Sequence, residues 1–487
     1  MLSKLLFTFF FKLQRLVKYI LVYWKMYRLK NFYCKTLSLF DIQDGYKSGK
    51  ISPVEIVKSK FDHIDKINPD LNAFCYLDRE FAFRSAKKSE ERWLSGSPKS
   101  VLDGVPCGIK DVTSTKEWFG RKGSKTSKSE APPFFEPPMV ARLRESGAIF
   151  LGLTNTAEFG WKAITDNKLY GPTRNPWNPL LTPGGSSGGS AVAVATDMCT
   201  FATASDAAGS IRIPASFCGI FGLKPSYGVI PTLPLSSYGT LSHQGVLTRT
   251  AEETVAVLKV ITRKDPDGAP NVPIIDSRIE NSKDLKKIKV GYFLSAENSN
   301  LEPALRDIFL DKIEFLKQCG LEINVIDPPF QGTDKIIKKM WAVYLQNIVK
   351  NKDLDLIDPG IIDFLNNYKD VTLGDYLECQ AKRLQFSANI NKIFGEYDFI
   401  ISPTSLTLPF EIGQNCPDKK ETDWFNWAQN CYPFNLTQQP AASLNCGFTV
   451  NGLPVGLQIV GQLYDDFRLL SFCNLLENYL NQSKVHN

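Results

Sequence analysis

Two clusters of small residues hold the side chains best placed for chemistry: PGGSSGGSAVAVA at 183–195 and SDAAGSIRIPAS at 205–216. In the second, Ala207, Ala208 and Gly209 precede Ser210, so a row of backbone N–H groups stays open to a ligand and a serine stands at its end. Such a row can stabilise an oxyanion while the serine attacks the carbonyl that the amides polarise. A tight strand-to-helix turn that happens to contain serine would read the same way. In the first cluster, seven consecutive Gly and Ser residues run into AVAVA with no polar spacer. A flexible linker of that composition is normally followed by a turn or a polar helix start, so the glycines are read as sites of close backbone approach. The cluster lacks the Lys-Ser/Thr ending of a P-loop, the GxGxxG spacing of a dinucleotide site and the GxSxG nucleophile elbow.

A serine nucleophile needs a base, and the chain holds only three imidazoles, His63, His243 and His486. His486 sits at the C-terminal end and His63 in a polar, Lys-rich helical stretch, which leaves His243; a lone histidine is also a common core residue. Lysine is the other route, because burial lowers its pKa and in extreme cases frees the amine near neutrality. Lys110 ends the apolar segment GVPCGI and would emerge from a buried strand into a site. The same residue could instead cap the strand in a pair with Asp111.

The elements that must position these groups can be read from pattern. Ser52 and Pro53 are a good N-cap and first helical residue, and SLFDIQDGYKSGK precedes them as another helix. The apolar run Val105–Ile109 reads as a buried strand, and MVARLRESGAIFLGL as a helix, Gly147 and a strand over Ile149–Leu153. AVAVA has the small-residue density of a buried helix or strand. Alternation of helix and buried strand through residue 260 predicts an α/β sheet covered by helices. Residues 264–287, rich in Pro, Asp and Lys, are the best internal boundary; residues 300–398 read mainly as helices. PTSLTLPF and GLPVGLQIV read as strands that rejoin the first sheet, which favours one large domain.

Composition narrows the class. A 487-residue chain with 43% hydrophobic and 22% charged residues is an ordinary globular protein. Its net charge of +6 is concentrated in the arm, where Lys4, Lys12, Arg15, Lys18, Lys25, Arg28, Lys30 and Lys35 meet no acidic residue, so a nucleic-acid-binding field is not indicated. Eleven scattered Cys with no CxxC pair fit reduced thiols in a reducing compartment. In the arm, LLFTFFFKLQRLVKYILVYW is interrupted by Lys12, Arg15 and Lys18, short of the ~20 apolar residues that span a bilayer. Its spacing suits a basic amphipathic helix on an anionic membrane surface; a simple extension ahead of the domain and a spanning anchor are the other readings.

GVPCGIKD, GPTRNPWNP, PGGSSGGSAVAVA, SDAAGSIRIPASFCGIFGLKPSYG and GLPVGLQIVG, in this order, closely resemble the amidase signature family of amide hydrolases, from about residue 37 to about residue 480. The resemblance implies an α/β fold with a central mixed β-sheet covered on both sides by α-helices. It divides the chain into the basic apolar extension 1–36 and an amidase signature domain 37–487. It implies a Ser-Ser-Lys triad: Ser210 as acylated nucleophile, Ser186 as the bridging serine beside a cis peptide bond, and Lys110 as base. The amides of Ala207, Ala208, Gly209 and Ser210 are the implied oxyanion hole, Asp206 and Arg212 the braces of that loop, and no metal or organic cofactor is expected. Ala208 departs from the family's usual Gly, which bears on substrate size.

The implied function is hydrolysis of a carboxylic amide to the acid plus ammonia or an amine through an acyl-enzyme. The alternatives are the glutaminase subunit of a glutamyl/aspartyl-tRNA amidotransferase and a catalytically inactive binding relative. The aromatic run WFNWAQNCYPF points to an apolar pocket and favours the first. The expected partners are a small-molecule amide, no directly bound nucleic acid and a second copy in a homodimer. The expected location is cytoplasmic, with peripheral membrane contact through residues 1–36.

Overall fold

The structure is a computed structural model and describes residues 36–127, 136–266, 268–274, 287–297 and 299–482. The basic arm through residue 35, with the membrane contact expected of it, and much of the 264–287 boundary lie outside the described residues.

The first helices start where their side chains can satisfy the free amides of a first turn. Ser52 Oγ accepts the Glu55 N–H at 3.2 Å while Glu55 accepts the Ser52 N–H at 2.8 Å, and Pro53, with no N–H of its own, opens the helix Pro53–Leu71. Ser38 and Asp41 cap Leu39–Lys47 in the same way.

Eleven strands form one sheet: β1 Phe74–Leu77, β2 Pro106–Lys110, β3 Ile149–Thr154, β4 Phe201–Asp206, β5 Phe221–Lys224, β6 His243–Thr248, β7 Lys289–Tyr292, β8 Glu322–Val325, β9 Phe399–Pro403, β10 Ala441–Phe448 and β11 Pro454–Val460. Their spatial order is β1-β3-β2-β4-β6-β5-β10-β11-β9-β7-β8. The sheet is mixed, parallel where β2 meets β3 and β4 and where β7 meets β8 and β9, antiparallel elsewhere. Side chains alternate between its faces. Phe150, Phe201 and Val246 enter one core with the helices Ala251–Ile261 and Asp466–Gln482, while Ile149, Leu151, Ala202 and Leu247 enter another with Pro53–Leu71 and Gly188–Ala195. Helices therefore cover both faces, as expected for this α/β class.

Two strand expectations shift. PTSLTLPF does not itself form the strand that rejoins the sheet; that strand is Phe399–Pro403, which ends on its first residue. Leu406 gives its N–H to Trp427 O at 3.0 Å, so the chain has turned from the sheet towards a helical layer rich in aromatic residues. In the mainly helical stretch 300–398, β8 adds an edge strand with a single buried residue, Ile323. Among the described residues no helix is long and apolar enough to cross a membrane.

Candidate active site

Parallel pairing of β2 and β4 brings the C-terminal ends of both strands to the same edge, and the chemistry collects there. Lys110, the last residue of β2, donates its N–H to Thr203 Oγ1 at 2.9 Å. Its Nζ reaches Ser186 Oγ at 2.8 Å and Ser205 Oγ at 3.0 Å. The side chain is buried, and burial lowers its pKa to about 7 against a smaller opposing pull from Asp206. The strand-capping pair with Asp111 does not form: the Asp111 carboxylate accepts the N–H groups of Arg121 and Gly123 at 2.9 and 2.8 Å. Burial pushes that carboxyl up to about 7.

The first small-residue cluster is tightly enclosed. A Cβ on Gly185 would fall on the backbone of Ile164, and one on Gly189 on the backbone of Asn155. The Gly185–Ser186 peptide is cis. Thr165 Oγ1 donates to Gly184 O and accepts the Gly188 N–H, both at 2.9 Å, while Ser187 gives its N–H to Ser210 O at 3.2 Å and so ties the two clusters together. The AVAVA run behind them lies in the buried helix Gly188–Ala195.

Ser210, 7% exposed, lines a cavity of ≈ 280 Å³ with Ser186, Ser205 and Ala207. Much of the wall is apolar, from Val112, Phe119, Met139, Phe159, Leu233 and Leu235. The loop before Ser210 is braced by a buried pair: Arg212 Nε and Nη2 each donate to Asp206 at 2.9 Å, and Arg212 also reaches Gln458 Oε1, Asn435 Oδ1 and Cys431 O. Burial raises the Asp206 carboxyl, but Arg212, with Lys224 and Asn435 beside it, holds the group well below the ordinary carboxylate range. Asp206 Oδ1 also accepts the Gly209 N–H at 2.7 Å. That amide is spent on the brace; among the described hydrogen bonds none takes the N–H of Ala207, Ala208 or Ser210.

His243 is buried opposite Asp206 on β6, with Nδ1 2.8 Å from Leu241 O and its ring edge-on to Tyr227; it is not among the described residues of the cavity wall. Burial pushes its pKa well below the usual imidazole value. His63 Nε2 lies 2.7 Å from Thr196 O.

Sequence reasoning missed Ser205, Tyr238 and Gln244, all on the cavity wall. Thr203 and Ser205 alternate with the alanines of β4 ahead of Asp206, and both meet Lys110. That period-two signal was available. Tyr238 Oη and Gln244 Oε1 are buried and without a hydrogen-bond partner. Nothing in the spacing of those two residues points to them.

A family model described as Amidase matches residues 55–470. The chain belongs to the amidase signature family. Among its relatives is a subunit of the glutamyl-tRNA(Gln) amidotransferase of Trichormus variabilis, 31% identical, covering 92% of this chain and 99% of the relative. An acylamidase of Rhodococcus erythropolis is also 31% identical, over 88% and 92%. A bacterial aryl acylamidase of the family superposes with TM-score 0.82 at 24% identity, covering 92% of this chain and 97% of that one. A 6-aminohexanoate cyclic dimer hydrolase bound to its substrate gives 0.80 at 26%, covering 91% and 97%. The amidase signature motifs of this chain thus supply two small-residue clusters, whose Ser186 and Ser210 line one cavity, and the buried lysine that reaches Ser186.

Proposed function

We propose that this amidase signature protein hydrolyses a carboxylic amide to the acid plus ammonia or an amine, with Ser210 as nucleophile, Ser186 as proton relay and Lys110 as base. The observation that carries the reading is the 2.8 Å contact from the buried Lys110 amine to Ser186 Oγ, on the wall of the cavity that Ser210 lines. A lysine with a pKa about 7 is a free amine in an appreciable fraction of molecules at neutral pH.

In the acylation step Ser210 Oγ bonds to the amide carbonyl carbon as its proton passes to Ser186 Oγ, and the Ser186 proton passes to Lys110 Nζ. The carbonyl oxygen becomes an oxyanion opposite the open amides of Ala207, Ala208 and Ser210. As the C–N bond breaks, the proton returns through Ser186 to the leaving nitrogen, which departs as ammonia or an amine. Water then attacks the Ser210 ester by the same relay, releasing the acid. Residues 37–487 act as one catalytic domain in this reading.

The apolar wall supports an acyl group of hydrocarbon character. The second reading, the glutaminase subunit of a tRNA-dependent amidotransferase, is supported by the 31% identity to an amidotransferase subunit. A hydrolysis screen over primary amides of graded size and polarity, with glutamine among them, separates the two. Turnover of apolar amides with glutamine untouched is expected. Glutamine as the sole substrate, with activity that rises when partner subunits and tRNA are added, would select the second reading.

A further inference from the structure

Two buried polar atoms on the cavity wall, Tyr238 Oη and Gln244 Oε1, have no hydrogen-bond partner among the described residues. Unpaired buried groups are uncommon, and a ligand that fills the space beside one either pairs it or leaves it stranded at a cost. The Tyr238 ring stacks on Trp341 at 4.1 Å between centroids, so packing alone accounts for its place. Gln244 is the one that strand register sets against the reacting groups.

β4 and β6 are antiparallel neighbours, with Ser205 opposite Gln244. Directly opposed residues share a face of the sheet, their Cβ atoms about 5 Å apart. Ser205 Oγ lies 3.0 Å from Lys110 Nζ, and Lys110 Nζ lies 2.8 Å from Ser186 Oγ. Gln244, Ser205, Lys110 and Ser186 thus follow one another along the side of the site that moves protons. In the proposed mechanism the leaving nitrogen takes its proton from Ser186. The substituent on that nitrogen, rather than the acyl group, is therefore the part of the substrate that meets Gln244. β6 also pairs with β5 on its other edge, which holds this position within the sheet.

The group that fits there is neutral. A carboxamide presents an acceptor and a donor, and a hydroxyl complements both. An ammonium needs a carboxylate to pair with, and no described residue of the cavity wall is acidic. We infer, on the strength of the amidase reading, that Gln244 selects the leaving group. The favoured substrates are amides of hydrocarbon acids whose amine carries a neutral group able to donate and accept a hydrogen bond.

Kinetics on two isosteric amides of hexanoic acid, the 3-hydroxypropylamide and the butylamide, test this. The full chain should favour the hydroxylated amide at least ~10-fold in kcat/KM, because the butyl group leaves the carboxamide unpaired. The ratio should fall to near unity in Gln244→Met, which keeps the length of the side chain without its polar end. Gln244→Glu should shift the choice between the 3-hydroxypropylamide and the 3-aminopropylamide at least ~10-fold towards the ammonium-bearing one. Equal kcat/KM for the isosteric pair, a preference that survives Gln244→Met, or a choice that Gln244→Glu does not move overturns the inference and leaves the amidase reading standing. Turnover of neither amide also overturns it, and reaction of Ser210 with a fluorophosphonate then decides separately whether the amidase reading falls with it.

Discussion

At the scale of the residue, the proposed mechanism turns on the state of one amine. Burial lowers the Lys110 pKa to about 7, so its free-base form grows as pH rises through that value. Acylation rates should fall with unit slope below pH about 7 and level above it; a flat profile from pH 5 to 9 would remove Lys110 as base. Lys110→Ala should slow acylation by about 10²- to 10⁴-fold, the usual contribution of a positioned general base. The same shift bears on stability. Between about 7 and the ordinary lysine value of 10.5, the unfolded chain binds a proton that the folded chain lacks, so this residue makes stability rise with pH across that window. Lys110→Met should flatten that rise in denaturant titrations. His243, held at Leu241 O and outside the described cavity wall, should be dispensable: His243→Ala leaves the amide hydrolysis rate largely intact in a folded protein, and a collapse in rate would restore an imidazole mechanism.

At the scale of the element, geometry comes from glycines that admit neighbouring backbone and from one buried ion pair. Gly185→Ala puts a methyl on the Ile164 backbone, so the loop carrying Ser186 must shift. Overpacking of this kind costs about 1–3 kcal/mol, and the rate should fall far more than the unfolding temperature does. Asp206→Ala leaves Arg212 buried without its charge partner, a change that typically costs about 3–5 kcal/mol; equilibrium unfolding would check it. What the sequence made legible follows the same division. Lys110, Ser186 and Ser210 each sit in a local pattern, an apolar run or a Gly/Ser cluster, that signals its own geometry. Tyr238, Gln244 and Asn435 reach the site only through tertiary packing, so no spacing announces them. PTSLTLPF misleads because Ser405, Leu406, Thr407 and Leu408 alternate like a half-buried strand. Ladder pairing with β11 stops at Pro403, and Leu406 and Phe410 pack in a core rich in aromatic side chains instead. The row of small residues before Ser210 was legible in the sequence, but the loss of the Gly209 amide to Asp206 was not, since it depends on where the carboxylate turns.

At the scale of the molecule, the sheet is continuous across the segment that composition marks as a boundary. β10 pairs with β5 and β11 with β9, so strands from the last part of the chain join the first six strands to β7, β8 and β9. A chain ended at residue 264 leaves the β5 edge unpaired and should be insoluble or unfolded by circular dichroism; a stable, monomeric fragment would contradict a single domain. The core behind this join includes Phe399 stacked on Phe472 at 4.2 Å, and Phe472→Ala should destabilise the whole domain by about 3–5 kcal/mol in denaturant unfolding. This framework holds three segments distant in sequence on one cavity, where we propose that they act as one nucleophilic unit. Reaction of the intact protein with a fluorophosphonate, followed by peptide mass spectrometry, puts that unit to the test. One adduct on Ser210 is expected, absent in Ser210→Ala and formed much more slowly in Ser186→Ala and Lys110→Ala. Labelling that persists in Ser210→Ala, or proceeds at an unchanged rate without Ser186 and Lys110, would contradict it.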